Sequence, residues 1–214
     1  MSATSSSTPE AAVARCRHFG TCGGCSLQDR AYEAQLTYKK DKVAAALNGL
    51  PDLPSLTIVG APDIWNYRNK MEFSFGDVFP AVEGQWLKLG MKPKGRWYHI
   101  LDLQECFLPS PEAAPLLAAV RGWAEREKVP PYNSHKKEGE LRHLVIREAK
   151  NRAERMVVLV TSTGEVPRDS FVRAVQSVYP ATTIMIGRNA KVSDTAVSDS
   201  FETLTGPGSI TESL

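Results

Sequence analysis

Three of the four cysteines fall within one short stretch, Cys16-x5-Cys22-Gly-Gly-Cys25, and the fourth, Cys106, stands far downstream. A fold that gathers these thiols must bring an N-terminal loop back onto the element carrying Cys106. Four thiolates converging on one small volume are what a [4Fe–4S] cluster requires. Gly23 and Gly24 let the backbone close around inorganic sulfide without side-chain clash. Three other readings stay open on the spacing alone. Four cysteines also make a structural zinc site, although such sites more often use two close pairs. Free cysteines serve as small buried residues, and Cys22-x-x-Cys25 is the spacing of a redox pair.

The redox compartment bears on that choice. The first residues, MSATSSSTPEAAVA, have neither the basic start nor the apolar core of a signal peptide. No stretch approaches the roughly 20 apolar residues of a membrane span. The expected location is therefore the cytoplasm, where thiols stay reduced and clustered cysteines point to metal or catalysis before disulfides.

Hydropathy patterning gives the organisation. Residues 1–14 read as a disordered leader, 15–50 as the cysteine-rich loop and a helix, and 51–214 as a central α+β domain. Tyr32, Leu36, Val43 and Leu47 recur at helical spacing and predict an amphipathic helix ending near Asn48-Gly49 and Pro51. In YRNKMEFSF, apolar Tyr67, Met71, Phe73 and Phe75 alternate with Arg68, Lys70, Glu72 and Ser74, which predicts a strand with one wet face. Leu87, Leu89 and Met91 repeat the pattern, and KPKG reads as a turn into a third strand over Arg96–Leu103. Ser110-Pro111 predicts a capped helix start, with Leu116, Val120 and Trp123 on one face. Strands follow over Leu141–Glu148 and Met156–Thr161. Pro167 then opens a helix bearing Phe171, Val175 and Val178, followed by a strand at Ile184–Gly187 and two short strands in the tail. Strands in runs imply α+β, with a mainly antiparallel sheet and flanking helices.

The net charge is only +2, but it is unevenly spread. Residues 66–99 carry six basic against three acidic side chains, and residues 136–155 seven against four. From Val192 onward there are four acids and no bases. The basic stretches read equally as a phosphate-facing surface or as ordinary solvated faces.

The cysteine loop followed by Gln28 and a basic helix, then YRNKMEFSF, then GELRHLVIRE, resembles the RNA (uracil-5-)-methyltransferases over about Cys16 to Leu214. The cysteine set is similar to that of the ribosomal RNA branch. The resemblance implies that Cys16, Cys22, Cys25 and Cys106 ligate a [4Fe–4S] cluster, and that the partner is RNA, ribosomal in that branch. It also implies a Rossmann-like domain binding S-adenosylmethionine after residue 214, so that cofactor and the catalytic residues are expected outside this sequence. The chemistry agrees. C5 methylation of uracil needs a nucleophile adding at C6, and no cysteine is spare once four are assigned. Gly206-Pro-Gly-Ser-Ile is a poor candidate for a cofactor-binding glycine loop. The chain alone is expected to be inactive and monomeric. On this reading Arg68, Lys70, Lys92, Arg96, Arg142, His143 and Arg147 are the candidate RNA contacts, extended by Lys88 and Lys94, with Tyr67, Trp97 and Tyr98 as stacking surfaces. The cluster is expected to be structural. The competing readings are a stand-alone RNA-binding module, a zinc-stabilised module and an electron carrier.

Overall fold

The computed structural model describes residues 11–51, 54–82, 85–96, 98–192 and 194–213. In chain order the elements are α1 (Tyr32–Ala46), β1 (Lys70–Val82), β2 (Gln85–Met91), β3 (Leu101–Asp102), α2 (Ala113–Arg126), β4 (Leu141–Glu148), β5 (Arg155–Thr161), α3 (Arg168–Gln176), β6 (Thr183–Arg188) and β7 (Ser200–Thr205). The strands form one seven-stranded sheet in the order β3-β2-β1-β4-β5-β6-β7. Every neighbouring pair is antiparallel except β5–β6, which is parallel and joined through α3. A parallel pair needs such a crossover, and a helix supplies it. The α+β reading holds, with a mixed sheet.

The alternation in β1 sets the two faces. Met71, Phe73 and Phe75 are buried in one core with Leu144, Ile146, Leu159, Ile184 and Ile186, and α2 covers that core where it packs on β2. From α2 come Leu116, Leu117, Val120 and Trp123, all without exposure, and from α3 Phe171 and Val175. Trp123 lies 5.0 Å from Phe171 between ring centroids. Its indole Nε1 donates to Ser170 Oγ at 3.0 Å, so the two helices share one ring and one hydrogen bond.

Five expectations fail. α1 buries none of its side chains, and Val43 is half exposed. Its contact is with the 60–61 segment, where the Ala61 amide donates to the Tyr32 hydroxyl at 2.7 Å. The third strand shrinks to Leu101–Asp102, because the chain turns again at His99, whose amide donates to the Arg96 carbonyl. Ser110 does not cap α2. Its amide and hydroxyl both donate to the buried Glu148 carboxylate, at 3.0 and 2.6 Å. The tail forms a single strand, β7, among the described residues. α3 ends at Gln176, before Val178, which is partly exposed, and Tyr179 takes the buried place. Gly206-Pro-Gly does not precede a helix. Gly206 has φ +75, and a Cβ there would lie 2.0 Å from the Thr182 carbonyl, so the segment closes the end of the sheet.

Candidate functional site

Among the described residues no helix packs over the other face of the sheet. Along β1, Lys70, Glu72 and Ser74 point there, and the pairings Lys70↔Arg147 and Ser74↔His143 bring β4 side chains beside them. These strands floor a groove of about 1030 Å³. One wall is the turn after β2, with Lys92, Lys94 and Arg96. The other is the β6–β7 connection, with Asp194, Thr195 and Ser198, and Phe201 at the start of β7. Beside it lies a smaller apolar patch formed by Val145, Val158 and Val160 with Met156, Met185 and Ala196.

Charge in the groove is partly matched. Lys70 Nζ lies 2.5 Å from Glu72 Oε1. Lys92 Nζ lies 2.5 Å from Asp194 Oδ2. His143 is 4% exposed, with Nδ1 3.2 Å from Ser74 Oγ and Nε2 3.4 Å from Asp194 Oδ1. His143 and Lys92 hold the Asp194 carboxyl well below the usual carboxylate range, against the opposing effect of burial.

The N-terminal loop forms part of the same groove. Cys22 bridges Pro93, the Gly23 amide donates to the Lys92 carbonyl at 3.0 Å, and the Lys94 amide donates to the Thr21 carbonyl at 2.9 Å. A Cβ on Gly23 would sit 2.9 Å from the Lys92 carbonyl oxygen, so glycine is what permits this approach. The basic turn is thereby fastened to the cysteine loop.

All four cysteines line one cavity, walled also by Met71, Met91, Leu103 and Phe107. Contacts independent of any metal hold the loop there. The Arg17 amide donates to Glu105 Oε1 at 2.6 Å, and the Gln104 amide to His18 Nε2 at 3.2 Å. Burial pushes the Cys16 and Cys22 thiols up, and Cys106 up to about 11. Among the described residues no three His, Cys, Asp or Glu side chains converge closely enough to hold a single metal ion.

The structure sorts the sequence-predicted residues. Lys70, Lys92, Arg96 and His143 meet in the groove, and Arg147 lines the adjoining apolar patch. Arg68 is exposed but lines neither. Arg142 lies apart from the others. It falls where the β4–β5 register shifts between Leu141 and His143. Its guanidinium is buried 3.6 Å over the Tyr132 ring, with Nε donating to Ser162 Oγ and Nη2 to the Lys191 carbonyl. It anchors the chain after β6 and does not line the groove. Tyr67 and Tyr98 are exposed, and Trp97 lies outside the described residues. Sequence reasoning missed Ser74, Asp194 and Phe201. The acid-only tail was the available signal for Asp194.

No family model matches the chain. Its homologues are RNA methyltransferases. It is 36% identical to an RNA methyltransferase of Clostridium tetani over 94% of this chain and 45% of that protein. It is 35% identical to the tRNA (uracil(54)-C(5))-methyltransferase of Pyrococcus horikoshii, over 77% of this chain and 37% of that one. Among solved structures it is similar to the Pyrococcus abyssi tRNA (uracil-54, C5)-methyltransferase crystallised with S-adenosyl-L-homocysteine. That match has a TM-score of 0.69 and 27% identity, covering 90% of this chain and 43% of that one. The chain thus spans somewhat under half the length of these relatives. Among the described residues no helix is long and apolar enough to cross a membrane.

Proposed function

We propose that this chain, homologous to part of the RNA uracil-C5 methyltransferases, is the part that holds RNA, and that its four cysteines carry a [4Fe–4S] cluster. The observation that carries the proposal is the join between the two sites. The loop bearing Cys22 and Gly23 is hydrogen-bonded to the turn bearing Lys92 and Lys94, in a basic groove on the helix-free face of the sheet. Lysines and arginines on such a face give salt-sensitive phosphate contacts. Exposed Phe201 offers a ring for base stacking.

Four thiols can serve a cluster or a lone zinc ion. A zinc site draws four sulfurs to about 2.3 Å from one point. Here the thiols line a common cavity without that convergence. Buried thiols with raised pKa values are poor isolated thiolates, and ligation to a metal centre would favour the ionised form. The cluster's contribution would be structural, tying Cys16, Cys22 and Cys25 to Cys106. Methyl transfer to uracil is not a redox reaction. The narrower ribosomal target follows the cysteine pattern. Since two relatives are named for a transfer RNA target, both RNA classes belong in the assay.

S-adenosylmethionine binding and the nucleophile belong, on this reading, to the remainder of the enzyme. In this chain every cysteine lines the cluster cavity, and Gly206-Pro-Gly closes the sheet. Anaerobic purification with iron, sulfide and zinc analysis tests the proposal. About four irons and four sulfides per chain are expected. One zinc without sulfide would replace the cluster by a zinc-stabilised module.

A further inference from the structure

We propose that Asp194 is an internal stand-in for an RNA phosphate: its carboxylate fills an anion site made by Lys92 and His143, and a phosphodiester takes that site when RNA enters the groove. The inference rests on the RNA-holding reading above, and it names the contact point and the group that is displaced.

The site is built from both walls of the groove. Lys92 Nζ reaches one carboxylate oxygen at 2.5 Å, and His143 Nε2 faces the other at 3.4 Å. The histidine is the informative member. Its ring is buried, and the only groove partner of Nε2 among the described residues is the Asp194 carboxylate at 3.4 Å, an electrostatic contact that falls short of a hydrogen bond. A buried polar atom left in this way calls for a ligand. Ser74 Oγ lies 3.2 Å from Nδ1. When the hydroxyl donates there, the ring proton sits on Nε2, and a donor faces the groove. Two donors, one from β4 and one from the turn after β2, meeting two oxygens of one anion, form the geometry that the non-bridging oxygens of a phosphodiester would use.

The carboxylate is easily displaced. Its side chain is 45% exposed and that of Lys92 is 35% exposed, so solvent and salt weaken the pair. Asp194 lies in the connection between β6 and β7, outside either strand, and its side chain can leave without breaking a ladder hydrogen bond. Lys94 and Arg96 line the same groove and would add attraction for a phosphate. Held well below the usual carboxylate range, Asp194 remains an anion under ordinary conditions and opposes every polyanion that enters. It therefore sets a threshold that a multiply charged strand overcomes and a single small anion does not.

Fluorescence anisotropy of a labelled oligouridylate with the 214-residue chain, over a salt series, tests this. Asp194→Asn should bind about 5- to 10-fold tighter than wild type, with a salt slope steeper by about one ion. In a Lys92→Gln background the same change should gain less than about twofold, because the two residues act through one site. Asp194→Ser serves as a second variant should Asp194→Asn melt early. Wild-type binding that is unchanged or weakened by both variants would overturn the stand-in while leaving the RNA reading intact. No binding by wild type or either variant would overturn both.

Discussion

The two faces of the sheet are written in the same strands and behave as different materials. In β1, Met71, Phe73 and Phe75 lie in the core with at most 5% exposure, while Lys70 and Glu72, alternating with them, stand in solvent. In β4, Leu144 and Ile146 face the core, while His143 faces the groove and Arg147 the adjoining apolar patch. The covered face carries the apolar burial that makes the domain stable. The open face carries polar groups whose partners are few, partly exposed and exchangeable. Stability and binding should therefore respond to different substitutions only a residue apart.

The sharpest break of that comparison is on the covered side. Trp123→Ala removes the ring shared by α2 and α3, and should cost about 3–5 kcal/mol in a urea titration. Lys92→Ala should cost no more than about 0.5 kcal/mol in the same experiment. Equal losses would mean that the groove is part of the core.

Glu148 gives the next largest effect. Its buried carboxylate accepts from Ser110, from the Tyr179 hydroxyl at 2.8 Å and from Lys150 at 2.5 Å. Burial alone would raise its pKa, but Lys150, Ser110 and Tyr179 outweigh it and the carboxyl is held below its usual value. A depressed carboxylate adds stability above its unfolded pKa of about 4.3, and the contribution is lost as pH falls through the lower folded value. Glu148→Gln should lose about 1–3 kcal/mol at neutral pH and show a flatter loss of stability in acid. Steeper acid sensitivity in the variant would contradict this assignment.

A smaller effect belongs to the groove. Lys92→Gln with Arg96→Gln should weaken RNA binding roughly tenfold at low salt and reduce the salt slope by about two ions, leaving the melting temperature nearly unchanged. Smallest of all, Lys70→Ala should change stability by less than about 0.5 kcal/mol, because the Lys70–Glu72 pair is exposed. A larger loss would place Lys70 among the structural residues.

How much of this was legible in the sequence follows the range of the interactions. Period-two alternation located β1 and β2, and the apolar runs located β4 and β5 within a residue, because strand faces are set locally. The helical pattern in α1 was real as a helix but not as a buried face, since burial depends on what else is nearby. Arg142 looked like its neighbours His143 and Arg147, yet a register shift turned it onto Tyr132, and no local pattern announces a bulge. Asp194 lies 102 residues from Lys92 in sequence, so only the fold joins them. The reverse holds for the cysteines, where dense spacing marked the loop and the fold brought Cys106 to the same cavity.

The central claim is that the helix-free face, and not the helical one, holds RNA. Photocrosslinking of a 4-thiouridine oligonucleotide, with the attached peptides mapped by mass spectrometry, tests it most directly. The account predicts adducts on the Lys92–Arg96 turn and on the stretch from Asp194 to Phe201. Adducts confined to α2 and α3 would contradict it.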